Sequence, residues 1–338
     1  MLRDQSIDAF RGLCILLMIF VNDGGGGTRV FQHAPWDGFT LADLIFPWFV
    51  YLMGVSISCR SSARGSNLLE ALFRSLRLFF IGLFIINKST LVDELRIMGV
   101  LQRLAFCHMS VVAISRFEHR HQWIIVSTAA LLWLVMTYAL PVPGCPTGYT
   151  GPGGISGNGT HLHCIGGAAT YIDQFILGVD HMYKWTVARR AFYPVQLANN
   201  TPVAFEPEGL LGTLNAIVTC FIGFKTGKSR PSVSLFAIAC LSSHFIQANK
   251  QLWTLSFALI SASSAQFMLY LVPMYDLLIA CGRNSMLIYV GHTLLRGRLP
   301  FQWETNDSAQ LLLQHTITIG FWCFIAAKAD AKKMYFTV

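Results

Sequence analysis

Residues 8–27 read "DAFRGLCILLMIFVNDGGGG". From Leu13 to Val21 every residue is apolar, as a helix inside hydrocarbon requires. Four glycines then stop the helix, since each costs about 1 kcal/mol in a helix interior relative to alanine. Backbone that leaves the helix at membrane depth is tolerated against protein or a water-filled cavity. Asn22, Asp23 and Gly24–Gly27 are therefore expected to line a polar cavity. The plainer account is a loop at the membrane surface.

The rest of the chain shares this character. Its 338 residues are 54% hydrophobic and 12% charged, with a mean hydropathy of +0.51. Soluble domains carry about 25% charged residues, so the composition predicts an all-α, polytopic transmembrane helix bundle. About ten spans are expected, over 12–31, 40–59, 70–87, 97–115, 122–141, 209–227, 233–248, 252–275, 284–297 and 309–328. The seventh and ninth are short for a full crossing. The first span, with no cleavage site after it, reads as an uncleaved anchor. Neither a linker nor an internal repeat divides the chain, so residues 1–338 form a single membrane domain in the lipid bilayer.

The net charge is +8. With no nucleic-acid motif in the chain, no nucleic-acid partner is expected, and the excess falls to loops by the positive-inside rule. Arg60, Arg64, Arg116, Arg120, Lys225, Lys228, Arg230, Arg283, Lys328, Lys332 and Lys333 collect on one side. Arg29, Lys88, Lys250, Arg296 and Arg298 fall on the other. Both termini are therefore expected in the cytosol.

This orientation places the long polar loop, about 141–208, on the luminal side. Two of the nine cysteines, Cys145 and Cys164, lie there and can pair in an oxidising compartment. Asn158-Gly159-Thr160 is a glycosylation acceptor in the same loop. Cys14, Cys107, Cys220, Cys240, Cys281 and Cys323 lie in apolar stretches and read as small buried hydrophobes. The absence of CxxC leaves no metal or redox signature.

Several polar residues could carry chemistry. His33 follows the glycine run at the luminal end of the first span, and an imidazole there can act as general base or nucleophile. A structural or interfacial histidine is the bland alternative. Asp43 opens an otherwise uncharged helix close by. It either complements the helix dipole or orients His33 through the second ring nitrogen. Gln102 and Arg103 lie inside the fourth span, where a charge is costly and so a functional candidate. Arg103 is expected to have a partner such as Asp43 or a group of a bound ligand. Asn284, Tyr289 and His292 give the ninth span a polar face. Arg74 and Arg77 could meet a phosphate or snorkel. Asp8 and Arg11 read as a structural ion pair, and His119 and His121 as solvated loop residues.

Chemistry alone reaches a polytopic protein with a polar cavity, enzyme or transporter. Six stretches carry a resemblance further: "DAFRGLCILLMIFVNDGGGG", "QHAPWDGFTLADLIFPWFVYLMG", "GVLQRLAF", "VPGCPTGYTGPGG", "FEPEGLLGTLNAIV" and "RNSMLIYVGH". In this order they resemble the heparan-α-glucosaminide N-acetyltransferase family of lysosomal membrane enzymes, over nearly the whole chain.

The resemblance implies acetyl transfer from cytosolic acetyl-CoA to the terminal non-reducing glucosamine of heparan sulfate. It implies no metal, and a lysosomal membrane location. His33 matches the family's proposed catalytic histidine and Asn22 its neighbouring asparagine, a donor to the developing oxyanion. Asp43 completes the catalytic set. Arg103, Gln102, Asn284, His292, Arg74 and Arg77 are the candidates for binding substrate or cofactor. The luminal cysteine loop matches Cys145 to Cys164.

The chain begins almost at the family's core, without its N-terminal luminal domain, and is short around 225–253 and before Cys281. A homodimer is an open assembly. The rival readings are a transporter built on a broken helix, which predicts inverted repeats, and a catalytically silent paralogue.

Overall fold

The structure, a computed structural model, describes residues 4–64, 67–87, 94–194, 204–227, 229–303, 305 and 307–336. Lys88 and Lys228 lie outside the described residues, as does the 195–203 part of the long loop. Among those described the chain is all-helical, with one isolated bridge between Gly38 and Asn249 and no strand.

The helices are α1 (Gln5–Asn22), α2 (Leu41–Arg64), α3 (Leu68–Ile86), α4 (Val100–Ile114), α5 (His119–Ala139), α6 (Ala168–Leu177) and α7 (Val187–Phe192). They continue with α8 (Leu210–Thr226), α9 (Val233–Phe245), α10 (Leu255–Leu271), α11 (Asp276–Arg283), α12 (Ser285–Leu295) and α13 (Ser308–Ala331). Side-chain caps start several of them. Asp4 accepts from the Ser6 amide at 2.9 Å, and Asn67 from that of Leu69 at 3.0 Å, satisfying amides a helix leaves unpaired.

Among the described residues four helices are long and apolar enough to cross a bilayer: Gln5–Asn22, Leu41–Ser61, His119–Ala139 and Ala309–Ala331. Five more are apolar but shorter: α4, α8, α9, α10 and α12. At 1.5 Å per residue, even the 17 residues of α8 and of α10 rise about 26 Å, less than a hydrocarbon core of about 30 Å. Helix α3 has the length, but Glu70, Arg74 and Arg77 interrupt its apolarity. The chain is a multi-pass membrane protein with a helical bundle.

Several boundaries differ from the sequence expectation. The first helix starts at Gln5 and stops at Asn22, not at residue 31. The expected ninth span is a shorter helix, α12, separated from α11 by Asn284, whose ψ of 21° leaves the helical range. His119 and His121 begin α5 rather than sitting in a loop, though both are exposed. The long loop is folded in its described parts, with α6, α7 and two 3-10 turns. Cys240 is exposed on α9, not buried.

Glycines let the central helices meet backbone to backbone. A Cβ at Gly12 of α1 would fall 1.9 Å from the Leu278 carbonyl oxygen of α11, and one at Gly282 would fall 1.7 Å from that of Asp8. The Gly54 face of α2 meets α8 equally closely, at 1.9 Å from the Cys220 carbonyl oxygen. Small residues at such crossings are the usual basis of helix association in lipid. Around them Phe10, Trp48, Tyr51, Phe221, Trp253 and Phe257 form one buried core. The outer faces of α3 and α9 remain apolar and exposed, with Phe73, Phe80 and Phe84 on one and Phe236, Leu241 and Phe245 on the other. That inversion suits a lipid solvent.

The four glycines after α1 all take positive φ, from 62° to 118°. At Gly25 the chain also folds back so closely that a Cβ would lie 2.5 Å from that of Phe31. Only glycine meets both demands. The run packs on Phe31, Phe20, Leu312 and His315. It therefore makes a protein-packed reversal and does not line the cavity described below, contrary to the expectation for Asn22, Asp23 and Gly24–Gly27.

Candidate active site

Asp43 organises the segment after the glycine run. Its side chain is 2% exposed, and both oxygens are used. Oδ2 accepts from the amides of Ala34 and Thr40, each at 3.0 Å. Oδ1 lies 2.7 Å from His33 Nδ1 and 3.3 Å from Lys250 Nζ. Thr40 Oγ1 donates to the Gln32 carbonyl at 2.7 Å, closing the loop that carries His33. Pro47, one turn further along α2, has no amide to bond the Asp43 carbonyl.

Lys250 Nζ is also 3.1 Å from His33 Nδ1. An ammonium donates only, so the proton on Nδ1 is fixed by asking which neighbour can accept it. The carboxylate can. Nδ1–H therefore donates to Asp43, and Lys250 pairs with the same carboxylate. The lone pair of His33 is left on Nε2, which makes no hydrogen bond among the described residues. At 32% side-chain exposure, the ring can be reached by a ligand.

Lys250 belongs to a loop held against the His33 segment from the far end of the chain. Gly38 donates to the Ala248 carbonyl at 2.8 Å, and Asn249 Nδ2 to Asp37 Oδ1 at 3.3 Å. Trp36, 2% exposed, donates its indole N–H to the Thr150 carbonyl at 2.9 Å. This ties the long loop to the same place. In that loop Cys145 and Cys164 form a disulfide with Cα atoms 5.7 Å apart. Asn158 lies in a 3-10 turn, Ser156–Gly159; its side chain is outside the described residues.

A second feature lies between α1, α2, α3, α4 and the α11–α12 junction. It is a cavity of about 350 Å³. Arg11, Arg60, Arg74 and Arg283 stand at one end, with Ser56, Asn67 and Glu70. Met18, Phe46, Phe49, Leu101, Leu104 and Tyr289 line its apolar length. Arg11 and Arg283 are engaged, with Asp8 at 3.5 and 3.6 Å, and Arg283 also with Asp330 at 3.2 Å. Arg60 and Arg74 have no carboxylate within ion-pair distance among the described residues. Along α2 the lining runs from Ser61 to Phe46, a rise of about 22 Å. It ends one helical turn from Asp43. His33 itself is not a lining residue.

Residues 3–155 match the family model described as heparan-alpha-glucosaminide N-acetyltransferase, catalytic. The chain is 35% identical to the heparan-alpha-glucosaminide N-acetyltransferases of Mus musculus and of Homo sapiens, each over 99% of its own length. It is thus similar to the heparan-α-glucosaminide N-acetyltransferase family along nearly its whole length. The chain spans about 60% of the length of these curated relatives.

The structure separates the sequence candidates. His33 and Asp43 meet. Arg74 lines the cavity, whereas Arg77 is exposed on another face of α3. Arg103, 1% exposed, does not reach Asp43 or the cavity. Its guanidinium donates to the carbonyls of Pro207 and Gly209, each at 3.0 Å, and to Thr213 Oγ1 at 3.3 Å. It also stacks 4.8 Å above the Trp253 ring. Leu101 and Leu104 line the cavity instead, so the position expected to bind cofactor holds the start of α8.

Gln102 is buried against Gly82 and Gly99, with no partner for either amide atom among the described residues. Asn284 donates to the Ala280 carbonyl at 3.3 Å within its own turn, while Arg283 and Ser285 on either side line the cavity. His292 has its own acid, with Nε2 3.1 Å from Asp23 Oδ1. Arg296 joins them, its Nε 3.3 Å from Asp23 and its Nη2 donating to the Asn22 carbonyl. The Asn22 side-chain amide makes no hydrogen bond among the described residues.

Sequence reasoning missed three groups. One is Lys250, 217 residues from His33. The second is the pairing of Arg96 with Glu206 and Glu208, at 2.9 and 2.7 Å. The third is Asp173, buried to 1%, which caps α8 through the Leu210 amide at 2.9 Å. The run "FEPEGLLG" pointed to the acids, since two glutamates just before an apolar helix are costly unless paired. Burial pushes the Asp173 carboxyl up to about 7. Among the described residues no three His, Cys, Asp or Glu side chains gather as metal ligands.

Proposed function

We propose that this protein transfers an acetyl group from acetyl-CoA to the amine of the terminal non-reducing glucosamine of heparan sulfate, across the lysosomal membrane. One observation carries the reading. A histidine with its lone pair on Nε2, held by a buried aspartate at 2.7 Å, stands near the apolar end of a cavity whose other end is rimmed by arginines.

The two ends suit two substrates. The donor carries phosphates and a thin thioester arm, and it cannot enter hydrocarbon, where even one charge costs several kcal/mol. Arg60 and Arg74 at the cavity mouth would take the phosphates, and the apolar length towards Phe46 would take the arm. On this reading the arginine end, and both termini, face the cytosol. The disulfide loop, with Asn158 as its glycosylation site, then faces the lumen beside the sugar.

The sugar amine arrives as an ammonium in an acidic compartment and must lose a proton. In direct transfer His33 Nε2 takes that proton. The amine nitrogen attacks the thioester carbon, the C–S bond breaks and CoA leaves as the thiolate. In a relay, Nε2 attacks the thioester carbon, the C–S bond breaks and CoA leaves as the thiolate. The amine, having lost its proton to water, then attacks the acetyl carbon. The C–Nε2 bond breaks and the neutral imidazole is released as the amide loses its second proton. Asp43 serves both by holding Nδ1–H and stabilising the charged ring. Asn22, at the end of α1, is the candidate donor to the oxyanion in either route. A homodimer remains compatible with both.

Purified protein in lipid nanodiscs, given acetyl-CoA and glucosamine, should release CoA thiol only when the amine is present. His33→Ala should abolish the release with the thermal unfolding midpoint kept. Asp43→Asn should lower the rate about 100-fold or more, the scale of a positioned base. Amine-dependent release that persists in His33→Ala, or none from the wild type, overturns the assignment.

A further inference from the structure

The cavity mouth holds one residue that the charge argument leaves out. After α13 the chain reverses at Lys333, whose φ of 54° lies in the left-handed region. Its amide donates to the Asp330 carbonyl, and that of Met334 to the Ala329 carbonyl, each at 2.9 Å. The reversal brings Phe336 to the arginine end of the cavity, where it joins Arg60, Arg74, Arg283 and Asn67 in the lining. The ring is 50% exposed. An aromatic face left open beside free guanidinium groups is unusual for an apolar residue at a polar mouth, and it has the character of half a stacking site.

We propose that Phe336 is a specificity-determining residue that stacks on the adenine ring of the acyl donor at the mouth of the cavity. The inference rests on the reading of the cavity as the acetyl-CoA site and adds which part of the donor is recognised there. The geometry orders the donor by chemistry. The thioester arm suits the apolar length, and the phosphates suit Arg60 and Arg74. The only part of the donor with a flat π-face then lies outermost, where Phe336 is. Base–aromatic stacking needs no hydrogen-bond pattern, so one ring suffices. Asp330, whose carbonyl accepts in the turn before the tail, also binds Arg283 through its carboxylate at 3.2 Å, which ties the end of α13 to the cavity rim. Thioesters that lack the nucleotide would use the same arm channel without this contact.

Binding rather than turnover tests it. CoA and 4′-phosphopantetheine, which has the arm and one phosphate but no adenine, are titrated into wild type, Phe336→Ala and Phe336→Trp in nanodiscs. Phe336→Ala should weaken CoA binding roughly tenfold, the usual loss for one stacked base. Phosphopantetheine binding should not change, and Phe336→Trp should keep or tighten CoA binding. Unfolding midpoints show that the variants remain folded. CoA binding unchanged in Phe336→Ala, or equal losses for both ligands, overturns the stacking while leaving the cavity assignment standing. A wild type that binds neither ligand overturns the cavity assignment, and the stacking with it.

Discussion

Arg103 and Lys250 show how a buried charge is given its role by what can reach it. Arg103 is a planar fork whose donors end on two carbonyls and a hydroxyl, with Trp253 beneath the plane. A lysine cannot reproduce that fork, and an unpaired buried group costs about 1–3 kcal/mol. Arg103→Lys and Arg103→Gln should both lower the unfolding midpoint, while CoA affinity stays within twofold because the residue does not line the cavity. A fall in CoA affinity without a fall in stability would return Arg103 to the binding site. Lys250→Met should act the other way. It removes the cation that shares Asp43 with His33, so amine-dependent CoA release should slow while the unfolding midpoint holds, and an unchanged rate would detach Lys250 from the site. At this scale the sequence was legible where the chemistry is local. His33 and Asp43 lie ten residues apart on either side of a loop, and an acid opening an uncharged helix marks itself. Lys250 was not legible, because only the packing of the 246–254 loop brings it there. Arg103 stood out as costly, but its partners are backbone carbonyls, which leave no mark in the residue pattern.

The helices were legible as apolar runs and their ends were not, for a reason visible at Asn22 and Asn284. A window average carries the first span through Asn22 to residue 31, and it misses the short helix α11 that ends just before Asn284. Helix crossings are set by close backbone contact, which a sequence shows only as scattered glycines. The α1–α11 crossing is the clearest case and has a consequence for the cavity, since Arg11 and Arg283 at its mouth ride on these two helices. Gly282→Ala would place a Cβ 1.7 Å from the Asp8 carbonyl oxygen, so the helices must separate. Overpacking of this kind costs about 1–3 kcal/mol. The variant should unfold several degrees lower and bind CoA more weakly. Gly320→Ala on α13 is the control, because nothing lies within 4 Å of its Cβ position and alanine is the better helix former. Equal stability for the two variants would mean that the crossing is looser than the structure shows.

Across the whole molecule, the carboxylates buried where the long loop meets α8 tie stability to pH. Asp173 is the clearest. Its carboxyl is pushed up to about 7, first by burial, against the pull of the Leu210 amide and Arg103. An aspartate in the unfolded chain titrates near 3.9. Between these values the folded protein holds a proton that the unfolded chain has lost. Stability therefore falls as pH rises through this window. The contribution is fully present below about pH 4 and is gone once pH passes about 7. The neighbouring pair on Arg96 adds no clear direction, since burial raises Glu206 while Arg96 and Arg103 hold Glu208 down against its burial. The protein should thus unfold at a higher temperature at pH 5 than at pH 8. Asp173→Asn keeps an oxygen to accept from the Leu210 amide and removes the titration. It should flatten the dependence while changing the pH 5 midpoint little. Thermal unfolding of both proteins across pH 4–8, followed by intrinsic fluorescence in one detergent, measures the slope. A wild type more stable at pH 8 than at pH 5, or a variant with the wild-type slope, would show that Asp173 is ionised in the folded protein and that another group sets the pH dependence.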